Sequence, residues 1–188
     1  MIVEKELLGF TAGNFDLLHP GYIKCFKWAK KHCDKFIIFL QKDPSATRFT
    51  KYKPVIPLWD RYEALMAIQY VDDVYIYQTE EELYELIKFW KPDIRILGED
   101  YIGKTDFTGA DLPPKVIYTS RSHEWSTTKL KDLITLQTLK QNPKIVKKII
   151  LNPDTKIIVI QVNTNNNVCP RSGWFISKNT INNKIKNE

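Results

Sequence analysis

The sequence predicts an α/β fold, a parallel sheet of about five strands with helices on both faces. Two observations carry that expectation. Short apolar runs alternate with segments whose apolar residues recur at helical spacing, the pattern of βαβ units. Prolines such as Pro54, Pro57 and Pro92 fall at loops and helix ends between these segments. The crossovers between parallel strands are expected to be right-handed.

The elements follow in order. Leu7-Leu8-Gly9-Phe10 reads as a buried strand running into the glycine turn Thr11-Ala12-Gly13-Asn14. Tyr22, Cys25, Phe26 and Ala29 then keep the i, i+3, i+4, i+7 spacing of a helix, with Pro20 suited to its first turn. Lys35 to Leu40 is a second strand. Gln41 to Pro57, with Pro44, Pro54 and Pro57, reads as a long loop, and loops of that length in a compact domain usually serve function. A helix is predicted from Leu58 to Tyr70, with Leu58, Tyr62, Leu65 and Met66 on its packed face. Asp73 to Tyr77 is strand-like. Thr79 can cap the next helix, whose first-turn carboxylates Glu80, Glu81 and Glu82 suit the positive end of its dipole. Leu83, Leu86, Ile87 and Trp90 form its face, and Pro92 ends it. Ile94 to Leu97 and Lys115 to Tyr118 are strands, and Ser126-Thr127-Thr128 opens a last helix.

The chain has 188 residues, fitting one domain with an extension. We place the domain at residues 1–139 and a basic, Asn-rich extension at 140–188, in which Lys156 to Val162 reads as a lone strand. Net charge is +6, yet residues 135–188 hold 9 Lys and Arg against 2 Asp and Glu, a balance of +7. The body is therefore close to neutral, which argues against a nucleic-acid partner. The longest apolar runs, such as Phe36 to Leu40, are far below the roughly 18 residues of a membrane span. Met1-Ile2-Val3-Glu4-Lys5-Glu6 has no signal-peptide core. Cys25, Cys33 and Cys169 are scattered, so neither a disulfide framework nor a zinc site is expected, and a cytoplasmic location is.

Three clusters carry chemistry: Gly13 to Tyr22 (GNFDLLHPGY), Gly98-Glu99-Asp100-Tyr101, and Arg121 to Thr128 (RSHEWSTT). In the first, a strand ends in a glycine turn and His19 stands at a helix entrance. Backbone N–H groups, a positive dipole end and an imidazole thus surround one small volume that suits phosphate. The third offers a second helix N-terminus with hydroxyls and an arginine just upstream. In an open α/β sheet both would lie at the carboxyl ends of strands, where ligands bind. His32 and His123 read as structural or exposed residues, and Trp28, Trp59 and Trp90 as packing or interface residues.

The first cluster resembles the cytidylyltransferase signature G-x-F-D-x-x-H-x-G-H, and the third resembles the R-x-x-x-x-S-T-T segment of the same family. Gly98 to Lys104 looks like its nucleotide-contacting loop, and Tyr70-Val71-Asp72-Asp73-Val74 like its segment ahead of the third strand. The resemblance covers about residues 7 to 134 and is most like glycerol-3-phosphate cytidylyltransferases. It implies a Rossmann-like nucleotidyltransferase fold, a homodimer, and transfer of a cytidylyl group from CTP to a small alcohol phosphate with loss of pyrophosphate. It also implies that His19 and Arg121 stabilise the reacting phosphates, and that Asn14, Phe15, Tyr22, Asp100, Ser126 and Thr127 meet the nucleotide. Lys51 and Lys53 would meet the acceptor phosphate. Mg2+ would come with CTP, held largely by phosphate oxygens and water.

Two positions depart from the family pattern. The second signature histidine is Tyr22 here, and Gln69 stands where relatives often carry a basic residue. A phenol donates one hydrogen bond but carries no imidazolium charge. Losing one preorganised donor costs about 2.7–4 kcal/mol of transition-state stabilisation, so reduced turnover is expected. The motifs leave two rivals open: an adenylyltransferase acting on a sugar phosphate, and a nucleotide-binding protein with a weakened active site.

Overall fold

The computed structural model describes residues 5–48 and 50–141, together with the backbone of strands 146–151, 158–162 and 175–176. The chain divides into two compact units, Met1–Thr127 and Thr128–Glu188. The first contains strands β1 (Leu8–Gly13), β2 (Lys35–Gln41), β3 (Asp73–Tyr77), β4 (Ile94–Gly98) and β5 (Lys115–Thr119). Helices α1 (Pro20–Ala29), α2 (Leu58–Met66) and α3 (Glu80–Trp90) connect them, and α4 (Thr127–Gln141) begins at its end.

The five strands form one parallel sheet in the order β3-β2-β1-β4-β5. This is the expected α/β, Rossmann-like class. β2 lies between β1 and β3 and is buried on both faces, which explains its unbroken apolar run. Alternation sends Phe36, Ile38 and Leu40 into one core layer with Phe26, Leu65 and Ile96. Ile37 and Phe39 point into the other, with Phe10, Leu83 and Ile87. Each such side chain contributes about 1.5–3 kcal/mol on full burial.

The helix ends follow local chemistry. The Thr79 hydroxyl accepts from Glu82 N at 3.2 Å and caps α3, and Lys91 closes that helix in the left-handed region, with φ 46°, just before Pro92. α2 stops at Met66, one turn earlier than its apolar spacing predicts, because residues 67–70 tighten into turns through Ile68 N to Leu65 O and Val71 N to Ile68 O.

At the amino-terminal edge of the sheet, three aspartates each precede a strand and each accept a backbone N–H. Asp34 accepts from Leu7 at 2.8 Å, Asp72 from Phe36 at 2.6 Å, and Asp93 from Leu8 at 3.1 Å. Asp72 also pairs with Lys30 at 2.6 Å, and Asp93 with Lys5. Asp72, part of a segment read as a family mark, thus braces the start of β2.

In the second unit, β6 (Val146–Leu151), β7 (Ile158–Val162) and β8 (Phe175–Ile176) form an antiparallel sheet in the order β6-β7-β8. This corrects the expectation of a lone strand at Lys156 to Val162. An isolated strand would leave its N–H and C=O groups without sheet partners, and β7 instead has a neighbour on each side. Cys169 and most of the residues between these strands lie outside the described residues. Among the described residues, no helix is long and apolar enough to cross a membrane.

Candidate active site

The strand order places the site. From β1 the chain crosses to β2 on one side, whereas β4 leads to β5 on the other. The carboxyl ends of β1 and β4 therefore flank the point where the winding reverses, the usual ligand crevice of such sheets. All three clusters read from the sequence leave strands at this edge.

His19 occupies the N-cap position of α1 in an extended conformation, φ −135° and ψ 164°, with its side chain not used for capping. The residue is only 7% exposed, and its Nδ1 has no hydrogen-bond partner among the described residues. Burial, then the nearby His123 and Arg121, hold its pKa below the ordinary value of 6.5. Tyr22, one turn on, stacks against His19 with ring centroids 4.2 Å apart and planes 19° from parallel. The Tyr22 hydroxyl meets Thr127 Oγ1 at 3.4 Å, which joins the first cluster to the third. Burial raises the Tyr22 pKa, so this residue stays a neutral phenol.

The second and third clusters meet above Gly98. Arg121 Nε lies 3.0 Å from Asp100 Oδ1, and Glu99 Oε1 accepts from Arg121 N at 2.7 Å. A Cβ on Gly98 would lie 2.4 Å from Asp100 Oδ1 and 2.5 Å from Arg121 Nε, so only glycine admits this approach. Arg121 and Asp100 remain largely exposed, which leaves the guanidinium free to exchange its carboxylate for a phosphate. Ser126 immediately precedes α4, and Thr127 is its first residue.

The remaining expected residues divide. Asn14 is half-buried, and its carbonyl accepts from Arg61. Phe15 sits at φ 44° with its ring in the core, edge-on to Tyr22 and Phe26, so its main chain is the part that can meet a nucleotide. Lys51 and Lys53 are exposed on the long loop, with Lys53 in the electrostatic surroundings of Asp43. Gln69 is exposed beyond α2. A hollow of about 530 Å³ opens beside the site, lined by Leu18, His19, Pro20, Ile23 and Lys24.

Three residues of the site escaped the sequence reading. Asp16 is fully buried, and its Oδ1 accepts from Val55 N at 2.7 Å and Ile56 N at 2.9 Å. Arg61, 2% exposed, donates to the carbonyls of Ile56, Asn14, Gln41 and Lys42. Together they tie the long loop to the ends of β1 and β2. His123, read as structural or exposed, is half-buried and stands over Gly21 beside His19. The signal was available in each case: an aspartate inside the signature, an arginine on the buried stripe of α2, and a histidine just ahead of the Ser-Thr-Thr segment.

Residues 10–145 match the profile of the Cytidylyltransferase-like family. The chain belongs to this family of nucleotidyltransferases. Among its relatives, the bifunctional protein HldE of Gluconacetobacter diazotrophicus is 39% identical over 106 residues, 56% of this chain and 22% of that protein. The FAD synthase of Pyrococcus horikoshii is 35% identical over 113 residues, 60% of this chain and 74% of that enzyme. The chain thus spans about a fifth of the length of the HldE relatives that it matches. The lipopolysaccharide core biosynthesis protein of Thermoplasma volcanium superposes with a TM-score of 0.52 at 22% identity, covering 62% of this chain and 98% of that one. That likeness concerns the cytidylyltransferase-like fold alone.

Proposed function

We propose that this chain transfers a nucleotidyl group from a nucleoside triphosphate to the phosphate of a small phosphorylated alcohol. An oxygen of the acceptor phosphate attacks the α-phosphorus. The bond from that phosphorus to the bridging oxygen breaks, and pyrophosphate leaves with the electron pair. The observation that carries the reading is that buried His19 lies within the electrostatic reach of the Arg121 guanidinium at the carboxyl edge of the sheet. Little covalent chemistry is asked of the protein, so positioning and charge stabilisation do most of the work.

His19 and Arg121 serve the phosphates, with Tyr22, Ser126 and Thr127 at the α4 entrance and Asn14 and Phe15 contributing through the β1–α1 turn. Asp100 holds Arg121 until the nucleotide arrives. Lys51 and Lys53 serve the acceptor phosphate. Among the described residues no three His, Cys, Asp or Glu side chains gather into a metal cage. Mg2+ would be held by the phosphate oxygens and water, where it would supply positive charge to the triphosphate. A homodimer and a domain limit near residue 139 complete the proposal.

CTP and glycerol 3-phosphate are the donor and acceptor that the motif resemblance implies. A second reading, ATP as donor, has its own support. FAD is flavin mononucleotide joined to an adenylyl group, so the name FAD synthase describes adenylyl transfer to a phosphate, and such enzymes are among the relatives. The deciding experiment pairs CTP or ATP, each with Mg2+, against glycerol 3-phosphate, hexose and heptose phosphates and flavin mononucleotide. Pyrophosphate release is the readout. Turnover with CTP and a polyol phosphate supports the first donor, turnover only with ATP supports the second, and none with any pair defeats the enzymatic reading.

A further inference from the structure

We propose that His123 is a phosphate-contacting residue that supplies, from the β5–α4 loop, the second imidazole that the signature has lost at Tyr22. The inference rests on the nucleotidyl-transfer reading and deepens it.

Tyr22 is already engaged. Its ring lies flat on His19 and edge-on to Phe15, and its hydroxyl turns to Thr127. At the position of the missing histidine it brings a packed ring and a hydroxyl that is already engaged. His123 approaches the same turn of α1 from another element. A Cβ on Gly21 would lie 2.6 Å from His123 Cε1, 3.0 Å from His123 Nδ1 and 2.9 Å from His19 Nδ1. Both imidazoles therefore rest against one Cα in the first turn of a helix, whose positive dipole end favours an anion. Any side chain at position 21 would push the rings away.

The local backbone also sets the His123 tautomer. Trp125 N donates to His123 Nδ1 at 3.2 Å and to His123 O at 2.8 Å, in a turn where Glu124 takes φ 57°. With Nδ1 accepting, the ring proton sits on Nε2 and makes that nitrogen the donor, which is what a phosphate oxygen requires. Burial first, and then the nearby His123, lower the His19 pKa, so the two rings stand within electrostatic reach of each other.

Two measurements test this. The first follows the histidine ring resonances by NMR as inorganic tripolyphosphate is added to the parent protein and to His19→Gln. The His123 signals should move in both. If His19 responds and His123 does not, the inference is wrong while the phosphate site stands, and if neither responds both fall. A response at His123 without turnover on any donor and acceptor pair keeps the inference and defeats the enzymatic reading. The second measurement compares kcat on whichever pair is active. His123→Asn keeps an acceptor for Trp125 N but removes the imidazole, and should lower kcat at least about tenfold. Tyr22→His should raise kcat by at least about tenfold more in the His123→Asn background than in the parent. Equal gains in the two backgrounds, or an unchanged kcat in His123→Asn, would overturn the assignment.

Discussion

Arg61 donates from Nη1 to the main-chain oxygen of Asn14 at 2.6 Å. One buried guanidinium thereby joins the signature turn to the end of β2 and to the loop that follows it. The burial that lowers the Arg61 pKa is offset by four accepting carbonyls and by the charge of Asp16. Arg61→Ala leaves those buried carbonyls without their donor and removes the positive charge near Asp16, so it should lose about 3–5 kcal/mol in denaturant unfolding. Arg61→Lys should recover only part, because an ammonium cannot fan out to four acceptors. A loss below about 1 kcal/mol in Arg61→Ala would show that the clamp is dispensable.

Asp16 should control the long loop more than the fold. Asp16→Ala removes the acceptor for Val55 N and Ile56 N, and the segment carrying Lys51 and Lys53 should then be cut faster by trypsin. We expect at least about a fivefold faster cleavage and a higher KM for the acceptor. Unchanged digestion would mean that Arg61 holds the loop alone.

The phosphate clamp has a separate signature. His19→Ala and Arg121→Ala should each lower turnover at least about tenfold, and the thermal transition should move less in exposed Arg121→Ala than in His19→Ala, which also loses the stack on Tyr22. Turnover at the parent rate in both variants would remove them from the mechanism.

His19 also makes stability depend on pH. Its folded pKa lies below the 6.5 of an unfolded histidine, so just under pH 6.5 the unfolded chain binds the proton more readily. The contribution of His19 is present above that value and is lost as the pH falls toward the folded pKa. His19→Gln should show a shallower loss between pH 7 and about 5.5 in denaturant titrations. Parallel slopes for parent and variant would contradict the lowered pKa.

Truncation after Lys140 tests the proposed domain limit. The five parallel strands are complete by Thr119, so the shortened chain should fold and bind nucleotide within about threefold of the parent affinity. Insoluble protein or lost binding would place the later residues in the functional domain.

Much of this architecture was legible because β1 to β5 carry short apolar runs and α1 to α3 apolar residues at helical spacing, which burial then uses, whereas α4 leaves Leu133 and Ile134 exposed. The failures share a cause, since periodicity records apolarity and not partnership. On α2 the sequence reading chose Leu58, Tyr62, Leu65 and Met66; the first three pack against the core, whereas Met66 is exposed and Arg61, not chosen, is buried. A charge that satisfies carbonyls looks like a surface residue until those carbonyls are placed. His123 was missed for a related reason: its neighbours in space, Gly21 and His19, stand about a hundred residues away in the chain. β6 was missed because Lys147 and Lys148 interrupt its apolar run.

The aspartates at the opposite edge of the sheet have an evolutionary consequence. Asp34, Asp72 and Asp93 fasten the starts of the strands, whereas every residue assigned to catalysis or recognition leaves from their far ends. Scaffold and specificity are thus inherited through separate sets of positions. New donors and acceptors can be explored by drift in the loops without renegotiating the frame, which makes this chain a suitable recipient for grafted substrate loops from its relatives.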